Sequence, residues 1–111
     1  MNDFTIRTIQ SFEKQAKRLK KKYPSLANDI ISLSRSLEQD PTQGVSLGKG
    51  CYKIRMAIGS KRQGKSGGAR VITYVKITDE DVFLLAIYDK AEKGDLEASE
   101  LEELLALLAA Q

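Results

Sequence analysis

The sequence predicts an α+β fold in the order β-α-α-β-β-β-α, and three patterns lead to this prediction. Two stretches within the first forty residues repeat apolar side chains at spacings of four and three, the period of a helix. Later stretches repeat them at every second residue, the period of a strand. The last three strands are joined by loops of hairpin size, which connect antiparallel neighbours. We therefore expect an antiparallel sheet of about four strands, with a helical hairpin on one face, a cationic face left open and a C-terminal helix.

The N-terminal part begins with a predicted strand over 4–9 and continues with two helices. Ser11 is placed to cap the first helix and Ser25 the second, while Pro24 stops the first. The apolar stripes are Phe12, Ala16, Leu19 and Tyr23 in the first helix and Leu26, Ile30, Leu33 and Leu37 in the second. The first helix also carries a run of basic residues, which is either a solvated surface or one that contacts phosphates.

The pattern changes at residue 51, after a segment rich in glycine. We expect a loop from Asp40 to Gly50, because proline and glycine interrupt it. A strand follows from Cys51, and it carries Lys53 and Arg55 on one side. Its other side is apolar, with Tyr52, Ile54, Met56 and Ile58. One face of this strand should therefore pack on a core, while the other displays cations.

The C-terminal half supplies two more strands and a helix. A flexible basic loop over 59–68 leads into a strand over 70–77. An acidic turn then enters a strand over 82–88, which is apolar on both faces and is expected at the centre of the sheet. The last helix is predicted to open at Asp95, with Ser99 and Glu102 as a capping box. Its broad leucine stripe packs either on the sheet of its own chain or on a partner.

Composition limits the chemistry that the chain can perform. The 111 residues suit a single domain, 1–111, with one core. The chain has no histidine and only one cysteine, Cys51, which excludes a disulfide framework and a Cys/His zinc site. A metal enzyme would therefore need carboxylate ligands alone, and no cofactor is expected. No apolar run is long enough to span a bilayer and the N-terminus lacks the order of a signal peptide, so we expect a cytoplasmic protein and no membrane partner.

The small net charge of +3 hides a strong asymmetry along the chain. Residues 1–76 carry 16 basic and 5 acidic side chains, a balance of +11, whereas residues 77–111 carry 2 and 10, a balance of −8. Within the first part, residues 49–76 hold eight basic side chains and no acid. Such a concentration of positive charge is typical of a surface that binds a polyanion.

The predicted strands bring several of these cations onto one face. Lys53, Arg55 and Arg70 should project together, with Tyr74, Tyr88 and Lys90 as neighbours. Metal-free cleavage of a phosphodiester requires a group that accepts the proton of the ribose 2′-hydroxyl, charge that stabilises the phosphorane, and a group that protonates the leaving 5′-oxygen. Clustered cations can provide all three, because neighbouring positive charge lowers the pKa of a lysine while arginine stays charged. The alternative is a purely electrostatic face that binds nucleic acid without cutting it.

Three segments in this order resemble the RelE/ParE superfamily of toxins, and more closely its RelE/HigB-like branch. The first is Cys51-Tyr52-Lys53-Ile54-Arg55, the second runs from Gly64 to Ile72, and the third is Leu84-Leu85-Ala86-Ile87-Tyr88-Asp89-Lys90. The likeness extends over nearly the whole chain, from the two leading helices to the closing helix. The long basic loop over 59–69 is most similar to the HigB-like members.

The resemblance implies a bacterial type II toxin that enters the ribosomal A site, cleaves mRNA there without a metal, and is neutralised by an antitoxin, with which it could form a hetero-oligomer. By position, Lys53 and Arg55 correspond to residues that act as base and as phosphate contacts, and Arg70 to the arginine that stabilises the phosphate. Lys90 lies near a basic position that follows the last strand. Residues 91–111 lack the tyrosine that stacks on the cut nucleotide in RelE itself, so either Tyr88 or Tyr74 replaces it or the general acid is a different one.

Further cations and one tyrosine are expected to contact RNA outside the catalytic group. They are Lys49, Lys61, Arg62, Lys65, Tyr74 and Lys76. A second branch of the superfamily, the ParE type, inhibits DNA gyrase on the same fold without nuclease activity. That branch would not need the set of Lys53, Arg55 and Arg70, and their presence here favours the ribonuclease.

Overall fold

The computed structural model describes residues 3–111, which form five strands and three α-helices. Single turns of 3-10 helix at Gly59–Lys61 and Ile77–Asp79 precede β4 and β5. In chain order the elements are β1 (Thr5–Thr8), α1 (Gln10–Lys22), α2 (Leu26–Gln39), β2 (Val45–Gly48), β3 (Cys51–Met56), β4 (Ala69–Lys76), β5 (Asp81–Asp89) and α3 (Ala98–Ala109).

The strands form one mixed sheet in the order β1-β5-β4-β3-β2. The pairs among β2, β3, β4 and β5 are antiparallel, as the short connections predict, and β5 lies inside the sheet. The prediction was wrong on two details. β1 pairs with β5 in parallel, because the helical hairpin rather than a tight turn follows β1. A fifth strand, β2, occupies part of the segment from Asp40 to Gly50 that was expected to be a loop.

The helical hairpin covers one face of the sheet and builds the larger core. α1 contributes Phe12, Ala16 and Leu19, and α2 contributes Leu26, Leu33 and Leu37, all of them buried. The predicted apolar side of β3 faces these helices. The sheet residues of this core are Ile54, Met56, Ala69, Val71, Val75, Val82, Leu84 and Ile87. The spacing of four and three therefore gave the packed face of both helices.

The opposite face of the sheet is not left open, because α3 packs on it. Leu101 and Leu104 are buried there against Ile72, Leu85 and Tyr88. The predicted open cationic face is therefore wrong for the part of the sheet beneath α3. The leucine stripe is divided between two environments, since Leu107 remains half exposed. Among the described helices, none is both long and apolar enough to cross a membrane.

A bulge in β5 sets which side chains reach each face. Ile72 pairs with Ala86 and Thr73 with Leu84, so Leu85 is an extra residue in β5. The carbonyl of Leu85 accepts a hydrogen bond from the Ser11 hydroxyl at 2.8 Å. Ser11 is therefore not the N-cap that the sequence predicts, and α1 instead begins after Ile9.

The other predicted caps are also displaced. Ser25 stands at the N-cap of α2, but its hydroxyl donates to Asp29 rather than capping the helix backbone. α3 begins three residues after Asp95, and its capping box consists of Glu97 and Glu100 rather than Ser99 and Glu102. Asp95 instead forms an ion pair with Lys53.

Candidate nucleic-acid interface and catalytic site

The centre of the candidate site is a row of three residues across three strands. Arg55 of β3 pairs directly with Arg70 of β4, and Arg70 pairs with Tyr88 of β5. Lys53 pairs with Ile72, two residues along the strands and so on the same face as Arg55. The structure thus brings together four of the five predicted catalytic residues. Arg55 is exposed, Lys53 is partly covered, and Arg70 and Tyr88 are buried.

Arg70 is held under the basic loop by backbone carbonyls. Its Nη1 donates to the carbonyls of Lys65 at 3.1 Å and of Ala69 at 3.2 Å, and its Nη2 donates to that of Ser66 at 3.0 Å. No carboxylate of the described residues pairs with Arg70. The guanidinium therefore fixes the loop over the end of β4, and its charge is balanced only by carbonyl dipoles.

Gly68 closes this loop where only glycine fits. A side chain there would collide with the carbonyl of Met56 in β3. The Gly68 carbonyl also accepts a hydrogen bond from the backbone N–H of Lys90 at 3.0 Å. These contacts join the basic loop to the ends of β3 and β5, so the loop sits at the edge of the candidate site.

Lys53 is paired with an acid from the segment that leads into α3. Its Nζ lies 3.2 Å from Asp95 Oδ1, and that oxygen also accepts the backbone N–H of Leu96 at 3.1 Å. The hydrogen bond from Lys53 and then that from Leu96 lower the pKa of Asp95. Both side chains line a cavity of about 240 Å³ beside Leu47 and Leu101.

Tyr88 lies beneath the same segment. Its side chain is 7% exposed, and Lys93 Nζ stands 5.9 Å from the centre of its ring. Its hydroxyl has no hydrogen-bond partner within residues 3–111. Burial, and after it the charge of Asp95, raises the pKa of Tyr88. The phenol therefore keeps its proton and could serve as a proton donor, but only after the covering segment moves.

Lys90 closes the site at the end of β5. Its Nζ donates to the carbonyl of Gly94 at 2.6 Å, and its charge helps to lower the pKa of Asp95. Lys90 is exposed, and its chain position places it next to the row of Arg70 and Tyr88. The fifth predicted catalytic residue thus lies two positions after Tyr88, just past the end of β5.

Lys61 lies on the other side of the sheet, in a buried polar cluster around Asp89. Its Nζ is 2.7 Å from Asp89 Oδ1 and also donates to the carbonyl of Gly67. Tyr23 at the end of α1 donates its hydroxyl to the same carboxylate, and so does the N–H of Ala91. Burial alone would raise the pKa of Asp89, but these hydrogen bonds outweigh it and lower the pKa to about 2. Lys61 therefore supports the fold from behind the site.

The remaining predicted RNA contacts are spread around the molecule. Arg62 and Lys65 lie exposed in the basic loop. Lys49 pairs with Glu102 of α3, and Lys76 pairs with Asp79, both at the far end of the sheet. Tyr74 packs at that same end beside Phe83, with ring centres 6.3 Å apart.

Sequence reasoning missed the residues that hold the candidate site in place. Asp89 stands inward at the end of an apolar strand, and a buried acid in such a strand signals a specific partner. Asp95 has no such signal, because an acid just before a helix is usually read as part of the helix start. Among the described residues, no group of three or more His, Cys, Asp and Glu side chains could hold a metal ion.

Known proteins of solved structure share the fold of this chain. The chain has 16% identity to a chain in the crystal structure of the toxin–antitoxin complex RelBE2 from Mycobacterium tuberculosis, with a TM-score of 0.57 over 82% of this chain and 95% of that one. It has 16% identity to a doubly substituted form of the E. coli toxin RelE in the free state, with a TM-score of 0.55 over 96% and 97% of the two chains. These likenesses show a shared fold. Residues 5–110 match the family described as the RelE toxin of the RelE / RelB toxin-antitoxin system. The chain therefore belongs to the RelE family of toxins from toxin–antitoxin systems.

Proposed function

We propose that this toxin is a metal-independent endoribonuclease that cuts mRNA on the ribosome in the cytoplasm and is neutralised by a cognate antitoxin. The observation that carries the proposal is the shared face of Lys53, Arg55, Arg70 and Tyr88 on adjacent strands. Membership of the RelE family supports the toxin role. The Mycobacterium tuberculosis relative is a toxin–antitoxin complex, which supports an antitoxin partner and a hetero-oligomer for this chain too.

The proposed reaction begins with attack by a ribose 2′-oxygen on the neighbouring phosphorus. The 2′-hydroxyl proton passes to a base on the enzyme, the bond from phosphorus to the 5′-oxygen breaks, and a proton is delivered to that leaving oxygen. The products are a 2′,3′-cyclic phosphate and a 5′-hydroxyl. We assign Lys53 as the base once its ammonium has released a proton to solvent, Arg55 as the charge that stabilises the phosphorane, and Lys90 or Tyr88 as the proton donor.

Arg70 contributes in a different way from Lys53 and Arg55. Its guanidinium can reach a phosphate only by exchanging its bonds to the carbonyls of Lys65 and Ser66. In the arrangement described here it positions the basic loop at the edge of the site. Substitution of Arg70 would therefore disturb the loop as well as the charge, so Lys53 and Arg55 are the better residues for a test.

The test is a cell-free translation reaction in which the 5′ ends of mRNA are mapped with and without ribosomes. The wild-type toxin should produce cuts within codons only when ribosomes are present, and the double variant Lys53→Ala/Arg55→Ala should produce none. Arg35→Ala, which removes an exposed arginine from α2, is the matched control and should cut like the wild type.

Two results would contradict the proposal. Full cutting by the double variant would show that the site is elsewhere. No cutting by a folded wild-type toxin would favour gyrase inhibition of the ParE type or non-catalytic binding of nucleic acid, which a DNA supercoiling assay then separates.

A further inference from the structure

We propose that Asp95 is an intramolecular competitor of RNA, with its carboxylate occupying the position where Lys53 receives a phosphate of the substrate. The inference rests on the proposed function, because it assigns an occupant to the same cationic site. It adds that this toxin limits its own affinity for RNA, independently of any antitoxin.

The contact itself is the first argument. The ammonium of Lys53 lies 3.2 Å from Asp95 Oδ1, a distance typical of a charge-assisted hydrogen bond. A carboxylate and a phosphate both offer anionic oxygens to a lysine, so they compete for the same ammonium. Asp95 is the one carboxylate within residues 3–111 that contacts a predicted catalytic residue.

The exposure of the two partners is the second argument. The side chain of Lys53 is 25% exposed, whereas that of Asp95 is 75% exposed. An RNA strand that approaches Lys53 therefore meets the negative charge of Asp95 at the mouth of the cavity that both residues line. Because the pair is open to water, its attraction is screened and a phosphate can displace it.

The backbone around Asp95 is the third argument. Residues 90–97 join β5 to α3, and this segment is tied down at both ends. Lys90 donates to the carbonyl of Gly94 at 2.6 Å, and Lys93 pairs with Glu100 at 2.6 Å. These contacts hold Asp95 over Lys53, and they place the segment above the ring of Tyr88.

The experiment measures binding, so it does not depend on cleavage. The probe is a short single-stranded RNA whose 2′-hydroxyls are methylated, which prevents attack on the phosphate, and its dissociation constant is measured by fluorescence anisotropy at low salt. The proteins are the wild type, Asp95→Asn, Lys53→Ala and the double variant. Glu103→Gln is the matched control, because it removes an equal charge from an exposed position of α3 and leaves every ion pair of the described residues intact.

We expect Asp95→Asn to bind the probe roughly two- to fivefold more tightly than the wild type, as loss of one exposed ion pair allows. In the Lys53→Ala background the same substitution should change the affinity very little, because the competition requires Lys53. Glu103→Gln should give a smaller gain than Asp95→Asn, because it frees no lysine of the site. A thermal melt of each variant shows that all compared proteins are folded.

Several outcomes would overturn the inference. They are equal or weaker binding by Asp95→Asn, a gain that persists without Lys53, an equal gain in Glu103→Gln, and no binding by any of the proteins. The proposed function fails separately. If the wild type cuts no ribosome-bound mRNA but the expected pattern of binding is seen, the competition stands and the endonuclease does not. If the wild type cuts but Asp95→Asn binds no more tightly, the endonuclease stands and the competition does not.

Discussion

Two acids, Asp89 and Asp95, lie six residues apart in the chain, and each one is paired with a lysine. Asp89 is wholly buried between the sheet and α1, and Lys61, Tyr23 and a backbone N–H all donate to it. Asp95 is largely exposed on the opposite face, where it pairs with Lys53. The same two residue types therefore make a permanent structural contact on one side of the sheet and an exchangeable one on the other.

The difference follows from solvation. A buried carboxylate that loses its cation leaves an uncompensated charge in a medium of low dielectric, so the Asp89 pair cannot open without a large penalty. An exposed ion pair can separate with only a small loss of free energy, because water and dissolved ions solvate the two charges after they part. The chain thus places its buried ion pair behind the candidate site and an exposed ion pair within it, a contrast that substitutions and acid can test.

The largest effect is expected for Asp89→Asn. This change leaves Lys61, whose side chain is 10% exposed, without its counter-charge, so the free energy of unfolding should fall by about 3–5 kcal/mol. Urea denaturation followed by circular dichroism measures the loss. The double variant Asp89→Asn/Lys61→Met should recover part of it, and a loss below about 1 kcal/mol would show that the cluster is not the rigid support described here.

Acid should act on the same cluster. The pKa of Asp89 is about 2 in the folded chain and 3.8 in its ordinary state, so the folded form holds the proton less tightly. Its contribution, about 2 kcal/mol, is therefore complete above pH 3.8 and is lost as the pH falls towards 2. As the pH is lowered through this range, the midpoint of urea unfolding should fall more steeply for the wild type than for Asp89→Asn. Equal slopes would contradict the assignment.

Arg55→Ala tests whether Arg55 contributes to the reaction without contributing to the stability of the fold. Arg55 is exposed and has no ion-pair partner within the described chain, so the free energy of unfolding should change by less than about 0.5 kcal/mol. Cleavage should fall by about a hundredfold or more if Arg55 stabilises the phosphorane. A large loss of stability, measured by the same urea titration, would mean that Arg55 is a structural residue.

The smallest effect on stability is expected for Asp95→Asn. It is the same chemical change as Asp89→Asn, but it is made at an exposed pair. The urea midpoint should stay within experimental error of the wild type, while the affinity for RNA changes. A clear loss of stability would place Asp95 with Asp89 as a structural acid, and would remove the contrast between the two faces.

Apolar periodicity predicted most of the fold. It gave the packed faces of α1 and α2, the two-sided character of β3 and the central place of β5, because each depends on local burial. It missed β2, which is short and mostly exposed, and the parallel pairing of β1, which depends on a partner distant in the chain. The caps at Ser11, Ser99 and Glu102 were wrong because a tertiary contact or another residue satisfied those groups instead.

The candidate site was predicted on the same basis. Alternation along β3 and β4 brought Lys53, Arg55 and Arg70 onto one face, as the register shows. Alternation could not show that Arg70 is covered by the carbonyls of its own loop, nor that Lys61 turns to Asp89. Such contacts depend on how loops fold back, and a loop has no periodicity from which its contacts could be read.

The bulge at Leu85 keeps two different chemistries on opposite faces of β5. Leu85 and Ala86 follow one another in the strand, yet both lie on the face that α3 covers. The bulge thus absorbs one residue of the alternation, which leaves Tyr88 beside Arg70 and turns Asp89 towards the polar cluster behind the sheet. With strict alternation over the same residues, Tyr88 and Asp89 would exchange faces, and a carboxylate would lie on the side of the arginines. Deletion of Leu85 would close the bulge and leave both side chains on their present faces.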